Sequence, residues 1–245
     1  MGMIPSPTDV MRNRPLYAQI RDALLSRLID RRWPPGMLLP SEKELAAEFG
    51  VSQGTVRKVL NELAAEHLVV RHQGRGTYVA EPEEGRILFQ FFRLTADDGE
   101  RRLPASVVTG FSKIRADRNV RARLGLETGV RVWHIHRTRM LDDRPVIGEQ
   151  LVLPASRFPD LDQLAAIPNN VYQLYATRYD TTIARAVERL KADASNADDK
   201  KVLGCKVGTP LLAIDRTAYS LDGHPVEWRL SRCLTDQFHY YSELR

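Results

Sequence analysis

The fold is decided by residues 39–79, which read LPSEKELAAEFGVSQGTVRKVLNELAAEHLVVRHQGRGTYV. Ser41 and Glu44 have the spacing of a capping box, which predicts that a helix begins just after Ser41. Gly50 can end that helix in a left-handed conformation, and Ser52 can cap a second helix. The stretch therefore predicts two short helices joined by a tight turn.

The second predicted helix has two dissimilar sides. Val56, Leu60 and Leu63 recur at helical spacing and should face a core. The opposite side presents hydrogen-bond donors and cations, with no carboxylate before Glu62. The start of such a helix suits the major groove of DNA. The residues on or beside that start are Gln53, Gly54, Thr55, Arg57, Lys58 and Asn61.

Two short strand-like runs follow the helices, at Val69–His72 and at 77–80. The glycine-rich segment 73–76 joins them, which is typical of a hairpin, and the tip of that hairpin presents Arg75. A helix-turn-helix followed by a basic hairpin is a winged helix, which is a DNA-binding architecture. The alternative is a helical hairpin whose basic side is only solvated.

The same stretch resembles the DNA-binding domain of the GntR family of bacterial repressors. The residues that carry the resemblance are Pro40, Ser41, Glu42, Glu44, Leu45, Ala46, Ser52, Thr55, Val56, Arg57, Leu60, Leu63 and segment 74–79. The DNA-binding residues that the resemblance implies are Ser41, Glu42, Ser52, Gln53, Gly54, Thr55, Arg57, Lys58, Arg75, Gly76 and Thr77. Gln53 and Gly54 depart from the arginine and larger residue that the family often has there, which leaves the operator sequence open.

Length and composition fit this interpretation. The chain has 245 residues, which is enough for two domains, and its 43% hydrophobic and 27% charged residues are typical of a soluble globular protein. Residues 1–80 hold 11 Lys and Arg against 8 Asp and Glu, which gives modest support for a polyanionic partner. No apolar run is long enough to span a bilayer, and no signal-peptide core is present. Cys205 and Cys233 form no framework, so we expect a cytoplasmic protein.

The chain divides into two predicted domains. Residues 12–80 form the winged helix, with a first helix at 15–31 and a short strand at 37–39, and residues 1–13 are predicted to be disordered. Residues 81–86 are the predicted linker, because Glu81-Pro82-Glu83-Glu84-Gly85 is polar and breaks both periodicities. Residues 87–245 form the second domain.

The second domain is predicted to be α+β with a mainly antiparallel sheet. Residues 136–146 resemble residues 215–226, and Gly129 matches Gly208, which indicates a repeated strand-turn-strand unit. The other predicted elements are strands at 87–92 and 104–114, a loop at 95–100, helices at 117–124, 171–179 and 195–203, and a less certain helix at 182–191 whose start fits a strand as well.

Arg137 and Arg139 are the strongest candidates for ligand contacts in this half. They share one face of a predicted strand, about 7 Å apart, and can clamp a carboxylate or phosphate. Glu149 lies on an apolar face and needs a partner. It would lie opposite Arg137 if the connecting turn has three residues. An anion or polyol pocket, in which Glu149 accepts from ligand hydroxyls or orients an arginine, and a structural ion pair at a sheet edge both fit these residues.

Residues from Phe89 to Tyr240 resemble the UTRA effector-binding domain found behind the same winged helix in the HutC subfamily. The resemblance rests on the two hairpins, the arginine pair, Glu149 and segment 225–227. It implies a chorismate-lyase-like fold, with an effector site at Arg137, Arg139, Glu149, Tyr172 and Glu227. Asn170 and Cys233 replace a serine and a tyrosine of other members, which leaves the effector open.

These observations predict a ligand-responsive DNA-binding regulator, a homodimeric repressor released from its operator by a small anionic metabolite. No catalytic motif is present, and no cofactor is expected. His134 and His136 alternate on one strand and could bind a metal only with a third donor, which the spacing does not supply. The alternatives are a DNA-tethered enzyme with a chorismate-lyase-like domain, and a regulator whose C-terminal domain only dimerises.

Overall fold

The computed structural model describes residues 15–66, 68–80, 93–98 and 104–242. The chain divides into two compact units, Met1–Glu81 and Pro82–Arg245. The linker predicted at 81–86, the strand predicted at 87–92 and the N-terminal disorder predicted at 1–13 lie outside the described residues. None of the described helices is long and apolar enough to cross a membrane.

The N-terminal unit is a winged helix-turn-helix, as predicted. Its elements are α1 (Leu16–Ile29), α2 (Glu42–Phe49), α3 (Gln53–Ala65), β1 (Val69–His72) and β2 (Gly76–Val79). Strands β1 and β2 pair antiparallel and form the wing. Buried side chains from all three helices form the core, including Ile20, Leu24, Leu45, Val56, Leu60 and Leu63.

Local sequence determines where these helices begin and end. The Ser41 hydroxyl accepts from the Glu44 backbone nitrogen, and the Glu44 carboxylate accepts from the Ser41 nitrogen at 2.7 Å, so the capping box is present. Gly50 ends α2 at φ 63°, and Ser52 caps α3. The strand predicted at 37–39 is reduced to a single bridge from Leu38 to the wing.

The C-terminal unit is built around a six-stranded antiparallel sheet, so the α+β prediction is confirmed. The elements are β3 (Leu94–Ala96), β4 (Ala105–Arg115), α4 (Arg118–Leu124), β5 (Arg131–Leu141), β6 (Arg144–Pro154), α5 (Val171–Arg178), β7 (Ile183–Ala194), α6 (Ala197–Leu203), β8 (Pro210–Ser220), β9 (Pro225–Leu234) and β10 (Phe238–Tyr240). The strand order in the sheet is β4-β5-β6-β9-β8-β7, and β10 pairs separately with β3.

Two assignments made from the sequence need correction. The predicted loop at 95–100 begins inside β3, because Leu94 and Ala96 turn inward and pack on a core shared with Phe238. The less certain helix predicted at 182–191 is instead the strand β7. Its side chains are mostly exposed because β7 lies at the sheet edge, so the sequence lacks a clear alternation of apolar and polar residues.

The repeat predicted from the hairpins extends over most of the sheet. Strand, helix, strand and strand follow in the order β4-α4-β5-β6 and again in the order β7-α6-β8-β9. Helix α4 begins at Arg118 and the equivalent helix α6 begins at Ala197. Equivalent residues that precede the hairpin turns are therefore 79 positions apart in the sequence. Gly129 and Gly208 have φ angles of 89° and 87° at equivalent positions. The two copies meet where β6 pairs with β9.

Different helices pack on the two faces of the sheet. Tyr172 and Tyr175 of α5 pack on Trp133 and Ile135 in the largest core. Helix α4 packs on the opposite face, in a core that includes Val132. Ligand-binding candidates that share a strand face with Trp133 and Ile135 therefore lie on the α5 side.

Candidate functional site: nucleic-acid interface and arginine cluster

The start of α3 carries most of the predicted DNA-contacting residues on its surface. The exposed ones are Ser52, Gln53, Gly54, Arg57 and Lys58. Thr55 is half-buried, and its hydroxyl lies 2.9 Å from that of Ser52. The Lys58 ammonium lies 4.9 Å from the centroid of the Tyr17 ring on α1. The helix start is therefore accessible and positively charged.

The wing contributes a second basic element. Arg75 is exposed at its tip, as predicted. Gly76 has φ 106°, and a Cβ there would lie 2.7 Å from the Leu38 side chain, so this position requires glycine. Thr77 is only 8% exposed, so the side chain of this predicted DNA-binding residue is not presented at the surface.

Glu42 links the helices to the wing. Its carboxylate accepts from Nε of Arg57 at 2.9 Å and also pairs with Arg71 of β1. Arg71 in turn contacts the side chain of Asn61 on α3. Arg57 and Arg71 together lower the pKa of Glu42 against the opposing effect of its partial burial. Glu42 is therefore placed to position arginines, a role that differs from direct DNA contact.

The C-terminal unit contains a buried group of four arginines on the α5 side of the sheet. Together they line a cavity of about 40 Å³, and their side chains are at most 9% exposed. We call this group the arginine cluster; its members are Arg137, Arg139, Arg216 and Arg229. Other side chains that line the cavity include Arg93, Glu149, Asn169, Asn170, Tyr172, Ser231, Cys233 and Tyr240.

Glu149 lies opposite Arg137, but the connecting turn is not the three-residue turn considered in the sequence analysis. Arg137 and Glu149 are partners in the β5–β6 register. The turn has only two residues, Asp142 and Asp143, both at positive φ, and an irregularity after Arg139 adds the missing step. Nε of Arg137 donates to Glu149 at 2.6 Å.

Glu149 interacts with three members of the arginine cluster. Nη1 of Arg139 lies 3.7 Å and Nη1 of Arg229 lies 3.8 Å from its carboxylate oxygens. Burial raises the pKa of Glu149, but the charges of Arg137, Arg229 and Arg139 outweigh burial and hold the pKa well below its usual range. Burial lowers the pKa of Arg139 to about 9, with Glu149 opposing this effect. An added anion would therefore stabilise the charged form of Arg139.

Arg216 and Arg229 were missed from the sequence, although the repeat contained the signal. Arg216 aligns with Arg137, and Arg229 aligns with Glu149. Strand pairing places Arg216 directly opposite Arg229. The equivalent positions therefore carry an arginine and a glutamate in the first copy, and two arginines in the second.

Two further carboxylates balance the second pair of arginines. Glu188 of β7 accepts from Nε of Arg216 at 2.6 Å. Glu227 is 0% exposed and accepts from Nε and Nη2 of Arg229, both at 2.9 Å. Four guanidinium groups thus face three carboxylates, counting Glu149, and leave one net positive charge among the described residues of the cluster.

Tyr172 and Glu227, both predicted effector residues, have different positions. Tyr172 lines the cavity, and its hydroxyl donates to Glu227 at 3.0 Å. Glu227 does not line the cavity and lies behind it. Tyr175, which the sequence did not single out, donates to the other Glu227 oxygen at 2.8 Å. Burial, followed by the Glu227 charge, raises the pKa of Tyr172 to about 12, so its hydroxyl keeps its proton.

The remaining candidates carry no comparable arrangement. The rings of His134 and His136 lie with their centroids 4.4 Å apart and their planes tilted by 51°, and no group of three His, Cys, Asp or Glu side chains suited to a metal occurs in the described parts of the chain. Cys233 is a buried thiol at the cavity wall, where burial raises its pKa. Such a thiol is unreactive.

Comparison with known families matches both units. Residues 16–79 match the family described as bacterial regulatory proteins, gntR family. Residues 100–239 match the UTRA domain.

Similar proteins include named transcriptional repressors. The transcriptional repressor NagR of Bacillus subtilis is 31% identical, with 94% of this chain and 96% of NagR covered. The mannosyl-D-glycerate transport/metabolism system repressor MngR of Escherichia coli is 30% identical over the same shares. The crystal structure of PhnF from Mycobacterium smegmatis is 26% identical with a TM-score of 0.57, covering 92% of this chain and 99% of that one.

Proposed function

Because the chain belongs to the GntR family of bacterial regulatory proteins, HutC subfamily, with a UTRA domain behind its winged helix, we propose that a small anionic metabolite binds its arginine cluster and releases it from operator DNA. At the broader level the chain is a ligand-responsive DNA-binding transcriptional repressor and not an enzyme.

The observation that carries the proposal is the charge of the arginine cluster. Nη2 of Arg137 is buried and has no hydrogen-bond partner among the described residues. Leaving charged groups buried without full compensation is costly, so an anion from outside gains strongly charge-assisted hydrogen bonds there. Two similar repressors are named for mannosyl-D-glycerate and for histidine utilization, and both compounds carry a carboxylate.

Release from DNA requires that the ligand distinguish two states of the protein. An effector shifts an equilibrium only by its difference in affinity for those states. We propose that the protein acts as a homodimer, because two winged helices on one dimer read two half-sites and multiply specificity. Arg57 and Arg75 are the residues that we expect to contact DNA in each half-site.

The test is an operator-release experiment. Operator fragments are first selected from genomic DNA with the full-length protein, and release is then titrated with anionic metabolites. Arg137→Ala should leave operator binding intact and weaken the effector response about 30-fold to 1,000-fold, as for a lost buried charge-assisted contact. Arg131→Ala is the matched control, because Arg131 is exposed on the same strand.

Two results would overturn the proposal. A normal effector response in the Arg137 variant would place the ligand elsewhere. An Arg137 variant that unfolds while Arg131→Ala remains folded would make the arginine cluster structural.

A further inference from the structure

Asn169 is a cavity-lining residue that the charge of the arginine cluster does not explain. It lies just before α5, two positions from the first helical residue. Its side-chain Nδ2 donates to the backbone oxygen of Pro104 at 2.8 Å. Because only the nitrogen of an amide can donate, this bond fixes which way the amide group is oriented.

The fixed amide leaves its oxygen as a buried acceptor. Oδ1 of Asn169 has no hydrogen-bond partner among the described residues, and the same is true of Nη2 of Arg137. The two residues are in contact, since Nη1 of Arg137 donates to the backbone oxygen of Asn169 at 3.3 Å. Both residues line the cavity, and each has one buried polar atom, a donor on Arg137 and an acceptor on Asn169, without a partner among the described residues.

Nη2 of Arg137 and Oδ1 of Asn169 require different groups on a ligand. A carboxylate or phosphate satisfies Arg137, but it cannot satisfy Oδ1 of Asn169 because both are acceptors. Oδ1 requires a hydrogen that the ligand donates. A hydroxyl suits this position better than an ammonium group, because the nearby guanidinium charges repel a cation.

We infer that Asn169 is a specificity-determining residue, whose side-chain oxygen accepts a hydrogen bond from a ligand hydroxyl close to the anionic group. The inference rests on the proposed function, since it assumes that an anion occupies the arginine cluster. It adds that the pocket selects hydroxylated anions over anions of equal charge and length without hydroxyls. A site built around a ligand hydroxyl discriminates against the analogue that lacks it, because a buried polar atom then stays unpaired.

The test uses two matched pairs of probes with the full-length protein: glycerol 3-phosphate with n-propyl phosphate, and glycerate with propionate. Within each pair the charged group and the three-carbon chain are the same, and only the hydroxyls differ. Calorimetric titration should show that the hydroxylated member of at least one pair binds about tenfold more tightly or better. Asn169→Ala should remove this preference by weakening the hydroxylated probe alone. Asn119→Ala, at an exposed asparagine of α4, should retain it.

The outcomes separate this inference from the proposed function. Equal binding of both members to the wild-type protein overturns the role of Asn169 and leaves the anion site standing. A preference that survives Asn169→Ala also overturns it. Failure of all four probes to bind at millimolar concentration overturns both. The wild-type comparison decides the matter even if the Asn169 variant does not fold.

Discussion

Glu42 is a single carboxylate that pairs with two exposed arginines. It pairs with Arg57 on the recognition helix and with Arg71 on the wing. A carboxylate at this surface also repels DNA phosphates, so it weakens attraction that is independent of sequence. We expect both effects to favour specific over non-specific binding, because the pair with Glu42 restrains Arg57 while the general charge is reduced.

We therefore expect Glu42→Gln to bind random DNA more tightly and to discriminate the operator less, by about fivefold. Fluorescence anisotropy with operator and random duplexes, at several salt concentrations, measures both effects. Glu62→Gln is the control, because it makes the same change in charge on the same unit, and the Glu62 carboxylate lies 4.0 Å from Nε of Arg21. Equal discrimination by the two variants would show that Glu42 only contributes charge.

Glu149 makes folding depend on pH. Despite burial, the charges of Arg137, Arg229 and Arg139 hold its pKa below the ordinary value of 4.5. The unfolded chain therefore binds this proton near pH 4.5, whereas the folded chain binds it only at lower pH. Above about pH 4.5, Glu149 contributes its full share to the stability of the folded state. This contribution is lost as the pH falls through the pKa that Glu149 has in the folded protein.

Glu149→Gln should lower the melting temperature at neutral pH and reduce its sensitivity to pH between about 5 and about 3. Thermal melts followed by circular dichroism across this range test both parts. Glu127→Gln, at an exposed carboxylate, should reproduce the parent curve. An unchanged neutral-pH melting temperature for the Glu149 variant would contradict the ion-pair account.

At the scale of elements, α5 is attached to the sheet through Glu227. Tyr172 and Tyr175 both donate to this carboxylate, which also pairs with Arg229.

Tyr175→Phe removes one hydrogen bond and should cost about 1–3 kcal/mol of the free energy of unfolding. Glu227→Gln leaves Arg229 without its nearest counter-charge and should cost more, about 3–5 kcal/mol. Urea unfolding measures both; equal costs would mean that the charge of Glu227 adds little.

The sequence predicted the fold better than it predicted which residues line the pocket. Capping residues and hydrophobic spacing act locally, so the sequence placed α2, α3 and the wing correctly. Strand alternation placed Arg137 and Arg139 on one face. Arg216 and Arg229 enter the same cavity only through pairing between strands distant in sequence. Asn169 depends on a hydrogen bond to Pro104, which is 65 residues away in sequence. No local pattern reports such contacts.

At the scale of the whole molecule, exposed apolar side chains on both edge strands of the sheet support the proposed homodimer, since edge strands invite pairing. They include Val107 and Val108 on β4, and Val187 and Leu190 on β7.

We expect light scattering at micromolar concentration to give about twice the chain mass of 27.8 kDa. The selected operator should contain two half-sites related by a two-fold axis, about one or more helical turns apart. A monomeric mass together with a single half-site would contradict the homodimer.

The repeated unit bears on how a pocket of this kind can originate. If the two copies descend from one ancestral unit, Arg137 and Arg216 are a pair of pocket residues that they still share. Glu149 and Arg229 are where they have diverged. The first copy pairs opposite charges, Arg137 and Glu149, whereas the second copy pairs like charges, Arg216 and Arg229. If an anion binds as proposed, its affinity arises from this difference between the two copies.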